Sequence, residues 1–251
     1  MHADQNIEEL LRDVLHAKDA SVREGAAQAL GRIGDPRAVA PLSAALRDGN
    51  WQVRWRAAES LGTIGDATAA TPLIGALNDR EQRVRESATA SLRTLGEPAI
   101  VPLIEALKSY DWSIRYEAAH ILRSKGEPAI APLVHALKSD EWSVRRDAAD
   151  ALGKIGDPSV VPHLVQELHD AHWVVRWKVI DALGKIGDPR VVKPLTASLH
   201  DHDWRVRWEA VKSLEKLGQV AREPLKEALK DSNDIVRNAA EKALDTVERR
   251  A

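Results

Sequence analysis

A Val-Arg or Ile-Arg pair occurs eight times along this chain, each copy 30 or 31 residues after the last. The copies are Val22-Arg23, Val53-Arg54, Val84-Arg85, Ile114-Arg115, Val144-Arg145, Val175-Arg176, Val206-Arg207 and Val236-Arg237. Twelve residues after the first seven stands a glycine: Gly34, Gly65, Gly96, Gly126, Gly156, Gly187 and Gly218. A period of this length rules out an ordinary globular core, because each unit is too small to bury its apolar face except against its neighbours. The 251 residues therefore read as one array and one domain, 1–251. Its repeats fall at about 4–34, 35–65, 66–96, 97–126, 127–156, 157–187, 188–218 and 219–251.

Residues 34–65 show what one repeat does. Gly34 suits the left-handed residue that closes a helix, and Asp35-Pro36 is an N-cap followed by proline at the first helical position. Val39, Leu42 and Leu46 then recur at helical spacing and define a helix A. Pro41 falls inside it, with counterparts at Pro72, Pro102, Pro132, Pro162, Pro194 and Pro224, and is expected to bend it. After a polar turn, Asn50 caps a helix B whose stripe is Val53, Ala57, Leu61 and Ile64, and Gly65 stops it. The expected fold is all-α: a right-handed α-solenoid of eight antiparallel helix pairs. Its ends look capped. Glu241 stands where earlier copies have small or apolar residues, and the first helix A carries Asn6, Glu8, Glu9, Arg12 and Asp13.

Composition narrows the function classes. The formal charge of -2 gives no global reason to expect nucleic acid or an anionic membrane as partner. There is no cysteine, which excludes disulfides and thiolate chemistry. The first fifteen residues include acids and no apolar run, unlike a signal peptide. No stretch approaches the ~18 apolar residues of a membrane span. A soluble, cytoplasmic monomer is expected.

The strings Ala151-Leu152-Gly153-Lys154-Ile155-Gly156-Asp157-Pro158, its near copy Ala182 to Pro189, and Asp203 to Arg207 carry a family resemblance. They resemble the HEAT repeat, in particular the HEAT-like subfamily named after phycobilisome lyases, and are also similar to artificial alpha-repeat binders. The resemblance covers almost the whole chain and implies a helix B lining a concave face. It also implies a ladder pairing a turn aspartate with the helix B arginine. Asp48, Asp79, Asp170, Asp201 and Asp231 lie six residues before Arg54, Arg85, Arg176, Arg207 and Arg237. Ala17, Ser109 and Ser139 interrupt that ladder.

All ten aromatics cluster around the start of helix B. Two residues before the repeat valine stand Trp51, Trp112, Trp142, Trp173 and Trp204. This flank also carries the small residues that face the next repeat, so these tryptophans are expected to stack between repeats. Two residues after the valine stand Trp55, Tyr116, Trp177 and Trp208, with Arg146 in the fifth repeat. At about 100° per residue they point almost directly away from the apolar stripe. Their column varies with glutamate and asparagine in a way a packed position would not tolerate. Trp, Tyr and Arg dominate interface hot spots, which makes these residues candidate partner anchors. Their polar neighbours complete the candidate face: Arg56 and Glu59 in the second repeat, His120 in the fourth, Lys178, Asp181 and Lys185 in the sixth, Glu209 and Lys212 in the seventh.

Acids interrupt the bases on this face, unlike the excess of Lys and Arg that a nucleic-acid groove requires. The turn histidines His169, His172, His200 and His202 lie beside Asp170, Asp201 and Asp203. Arg47, Lys108 and Lys138 at the matching places of other repeats mark them as ordinary polar turns rather than metal ligands. His-Glu dipeptides, which hold the irons of the HEAT-repeat enzyme deoxyhypusine hydroxylase, do not occur. His120 has no nucleophile or carboxylate pair around it in sequence. No catalytic residue, metal or cofactor is expected. The expected function is a non-catalytic scaffold holding a protein or peptide on the helix B face. The alternative that the subfamily suggests is a bilin lyase or chromophore-handling subunit, with single-stranded nucleic acid behind it.

Overall fold

The computed structural model describes residues 2–249, with side chains from residue 7 onward. Met1 and the side chain of the capping residue Asn6 lie outside the described residues. Contacts group the chain into two compact units, residues 1–125 and 126–251. The first holds α1 (His2–His16), α2 (Ala20–Ile33), α3 (Val39–Ala45), α4 (Trp51–Ile64), α5 (Ala70–Ala76), α6 (Gln82–Thr94), α7 (Ile100–Ala106) and α8 (Trp112–Lys125). The second holds α9 (Ile130–Ala136), α10 (Trp142–Ile155), α11 (Val161–Gln166), α12 (Trp173–Ile186), α13 (Val192–Ser198), α14 (Trp204–Leu217), α15 (Arg222–Ala228) and α16 (Asp234–Arg249). No strand occurs among the described residues. None of their helices is long and apolar enough to cross a membrane.

Odd-numbered helices are helix A and even-numbered ones helix B. Within each unit the B helices pack side by side, α2 on α4 on α6 and α10 on α12 on α14 on α16. The apolar stripe is the core: Val53, Ala57 and Leu61 on α4 are fully buried, as are Leu42 on α3 and Leu73 on α5. Glu8, Glu9 and Arg12 on α1 are exposed, and so is Glu241 on α16.

The prolines sit not in the interior of helix A but in the first turn of its α-helical part. A three- or four-residue 3₁₀ turn, Pro36–Ala38 in the second repeat, leads directly into a short α-helix whose third residue is Pro41. In the first turn of a helix the backbone N–H has no intrahelical acceptor, so the missing proline donor costs nothing there. Asp35 caps the 3₁₀ turn by accepting from the Arg37 N–H at 2.8 Å.

The two step lengths have a backbone cause. Where the step is 31, as after Gly34 (φ 74°, ψ 17°), the glycine closes helix B in the left-handed region and an aspartate starts the next turn. Where it is 30, the glycine does both jobs: Gly96 has φ 67° and ψ -143°. Only glycine reaches that combination readily.

Adjacent B helices meet through small residues. A side chain at Gly31, Gly62 or Gly184 would run into Ser60, Ser91 or Ser213 of the next B helix, and one at Gly153 into Ala182. The serines use this proximity: Ser60 Oγ donates to the Ala27 carbonyl and Ser91 Oγ to the Ala58 carbonyl, both at 2.8 Å. On α6 the corresponding place is taken by Arg93. The α6–α8 seam is accordingly looser.

The Asp-Arg ladder runs differently from the expected pairing. Each arginine sends Nη1 to the backbone carbonyl six residues earlier, as Arg54 does to Asp48 at 2.8 Å. Its Nε and Nη2 take the aspartate side chain of the following repeat, Asp79, at 2.6 and 2.9 Å. The same bidentate geometry joins Arg23 to Asp48, Arg145 to Asp170, Arg176 to Asp201 and Arg207 to Asp231. Each ladder aspartate also accepts the N–H two residues on, as Asp79 does from Glu81. The helix pairs thus bond across repeats at the turn end.

Candidate functional site

In the first unit the candidate anchors divide between α4 and α8. Trp55 lies 6.3 Å from Trp51 between ring centroids, and the Arg56 guanidinium covers its ring at 3.9 Å. Arg56 is itself paired with Glu59 at 2.9 Å and with Glu24 on α2 at 3.4 Å. Trp55 and Glu59 line a groove of about 520 Å³ between α4 and α6, with Arg83, Glu86 and Ala90 opposite. On α8, Tyr116 stacks on His120 at 6.5 Å and sits 6.4 Å from Trp112. Arg93 Nη2 lies 2.9 Å from His120 Nδ1, so this histidine is held to α6.

In the second unit the candidate residues form an interlocked charge network on α10, α12 and α14. Lys178 Nζ sits 3.2 Å from both Asp150 and Asp181, and 4.6 Å above the Trp177 ring. Lys185 binds Asp181 at 2.6 Å and Lys154 binds Asp150 at 2.5 Å. Burial pushes the Asp150 carboxyl up, but Lys154 and Lys178 more than offset it and hold it below the ordinary range. Glu209 goes the other way. Burial and the neighbouring Asp181 raise its pKa, against the lowering effect of Lys216, Lys178 and a hydrogen bond to Trp177. Arg146 pairs with Asp147 at 2.7 Å and reaches 5.5 Å from the Trp142 ring, while Lys212 pairs with Glu215 at 3.0 Å.

Two expectations about the aromatics need correction. The residues two after the valine do not all stand free: Trp55, Arg146, Trp177 and Trp208 are half-buried; Glu209, next to Trp208, is buried. The neighbouring B helix covers the flank that a single helical wheel leaves open. Tyr116, by contrast, is 60% exposed. The residues two before the valine do bridge repeats in three cases, through planar or cationic side chains at the edge. Trp142 stacks on His172 at 4.3 Å and 5°, Arg205 covers Trp173 at 4.1 Å, and Arg83 lies 5.5 Å from Trp51. Trp112 is 70% exposed and Trp142 38%. Trp112 and the fully exposed Tyr110 are thus candidate contact residues that the column argument passed over. Asp150 was not among the candidate residues; its place between Lys154, Lys178 and Lys185 comes from adjacent helices.

Three of the four turn histidines go to separate partners. His172 lies on Trp142, His200 Nε2 is 3.4 Å from Glu227, and His202 Nε2 is 3.1 Å from Arg176 Nη2. Among the described residues no three His, Asp or Glu side chains come together as metal ligands would.

Stacked antiparallel helix pairs with an aspartate-arginine ladder at their turns define an α-solenoid. A model of HEAT repeats matches residues 3–99, 100–166 and 161–245, and the chain belongs to that family. A search of curated proteins gave no match. Among solved structures it is similar to the complex of CpcE and CpcF of phycocyanin lyase from Nostoc sp. PCC7120. Identity is 23% over 58% of this chain and 97% of that one, with a TM-score of 0.54. Kap95p, in a complex with RanGDP, matches at 15% identity over 98% of this chain and 41% of that one, TM-score 0.53. Human deoxyhypusine hydroxylase with glycerol matches at 23% identity over 98% and 96%, TM-score 0.44. At these identities the likeness is one of fold.

Proposed function

We propose that this chain is a non-catalytic scaffold that binds a protein or peptide along its helix B face. The observation that carries the reading is the exposure of Trp112 and Tyr116, 70% and 60%, on α8, with the fully exposed Tyr110 just before them. Solvent-facing aromatics of this size oppose solubility unless a partner covers them. Trp55, Trp177 and Trp208 extend the face as half-buried rings, and Trp55 borders an open groove. The charges beside Trp177 are paired among themselves, so this part of the face presents an almost neutral floor, suited to a mixed peptide surface rather than a polyanion. Affinity capture from the source organism with the parent, Tyr116→Ala and Trp177→Ala tests it. The scaffold reading expects each variant to lose the same captured protein while melting within a few degrees of the parent. A captured set unchanged by both substitutions would overturn it.

A further inference from the structure

Five helix B arginines close Nε and Nη2 on the carboxylate of the following turn, as Arg54 does on Asp79. Arg85 of α6 keeps the other half of this geometry: its Nη1 donates to the Asp79 carbonyl at 2.7 Å and to that of Arg80 at 3.1 Å. The residue at the carboxylate position of the next turn, however, is Ser109, whose Oγ accepts from the Asp111 N–H at 3.2 Å. Among the described residues, Nε and Nη2 of Arg85 have no hydrogen-bond partner. Arg85 also lines a groove of about 420 Å³ in the α6–α8 seam, together with Gln82, Glu86, Arg93, Ser113 and Glu117. The groove exists because Arg93 stands where α2, α4, α10 and α12 carry a glycine. Tyr110, next to Ser109, and Trp112, at the start of α8, are exposed.

We propose that this seam is a carboxylate-binding site, in which the Arg85 fork takes an Asp or Glu side chain of a bound protein or peptide. The bidentate guanidinium–carboxylate pair is the geometry the other five arginines adopt within this chain. Glu86 and Glu117 in the same groove repel any anion, and a phosphate dianion more strongly than a singly charged carboxylate. Apolar residues flanking the acid would lie on Tyr110 and Trp112. This assignment rests on the scaffold reading for its occupant, but the fork itself can be tested without the partner.

The experiment is NMR of the arginine Nε–Hε groups in the full ¹⁵N-labelled chain. Sodium acetate and inorganic phosphate are added separately at constant ionic strength. Arg85 should shift saturably with acetate, while Arg54 and Arg176, whose forks are closed, should not. Ser109→Asp should close the fork from within and weaken the Arg85 response at least tenfold. Asp79→Ser should open the Arg54 fork and give that residue a response. An Arg85 signal that moves no more than that of Arg54, that persists in Ser109→Asp, or that answers phosphate more strongly than acetate overturns the site. Failure here, with partner capture still lost in Trp177→Ala, would remove this site and leave the scaffold reading standing. An Arg85 response with capture unaffected by the aromatic variants would do the reverse.

Discussion

Replacing Asp79 with serine isolates what one rung of the ladder contributes. The change removes the carboxylate that Arg54 holds at 2.6 and 2.9 Å. It should leave the turn intact, because Ser109 and Ser139 accept the N–H two residues on at 3.2 and 3.3 Å in their own turns. Arg54 would keep its Nη1 bond to the Asp48 carbonyl and lose both partners of its other two donors. The side chains of this pair are 6% and 10% exposed. Breaking a buried pair by removing one partner costs about 3–5 kcal/mol, against at most ~1 kcal/mol for an exposed one. A pair at the rim of a helix seam falls between, at about 2–3 kcal/mol. Asp48→Ser removes the same contacts from Arg23, whose side chain is 17% exposed, and should cost about 1–2 kcal/mol. Urea unfolding followed by far-UV circular dichroism measures both. Equal losses, or a loss under about 0.5 kcal/mol at Asp79, would refute the claim that ladder strength follows burial.

Three further outcomes follow from the same contacts. The Asp48 carboxyl lies below its ordinary pKa chiefly through Arg23, while at Asp79, Asp170, Asp201 and Asp231 burial is the largest single influence and pulls upward, and the arginine bond, the backbone N–H bond and the nearby positive charges together outweigh it. Their stabilisation is therefore complete above the unfolded value of about 3.9 and lost as pH falls through the folded values; acid titration by circular dichroism should show unfolding beginning below about pH 4, with a smaller pH dependence in Asp79→Ser. Glu209 has the opposite sign, its folded pKa lying above the unfolded one, so its contribution is lost as pH rises. Glu209→Gln keeps an oxygen acceptor for Trp177 and should melt higher than the parent at pH 7 but alongside it near pH 4; a lower melting point at pH 7 would count against this. Hydrogen exchange should show residues 109–130 opening before α4 and α6, because the α6–α8 seam lacks both the glycine approach and the ladder carboxylate; uniform protection would refute it.

How much of this was legible in the sequence differs from feature to feature. The helix ends were, because Gly34 and Asp35-Pro36 act locally: a left-handed stop and a capped start need no knowledge of the neighbours. The fate of Pro41 was harder, since it depends on where the 3₁₀ turn hands over to the α-helix within a run that looks continuous. The ladder was misread in direction. Arg54 is six residues after Asp48 and 25 before Asp79, and only the offset between stacked repeats decides that it bonds the backbone of one and the carboxylate of the other. The candidate face was half legible. A helical wheel correctly turned Trp55, Trp177 and Trp208 from their own helix A, but it contains no adjacent B helix. It therefore missed that Glu209 is buried beside Trp177 and that Asp150 ties three lysines together. That the tryptophans two before the valine differ in cover was not legible, because reading it requires knowing that Arg83, His172 and Arg205 lie on Trp51, Trp142 and Trp173.

The central claim is that the helix B aromatics bind rather than pack. Its most direct test measures partner affinity and melting temperature together for Tyr116→Ala, Trp177→Ala and Trp208→Ala, using the protein recovered by capture. Each substitution should weaken binding by about 2 kcal/mol or more, as interface anchors do, with melting temperatures close to the parent. Variants that melt early and bind with parental affinity would show that these rings belong to the packing of the solenoid, and the scaffold reading would lose its anchors.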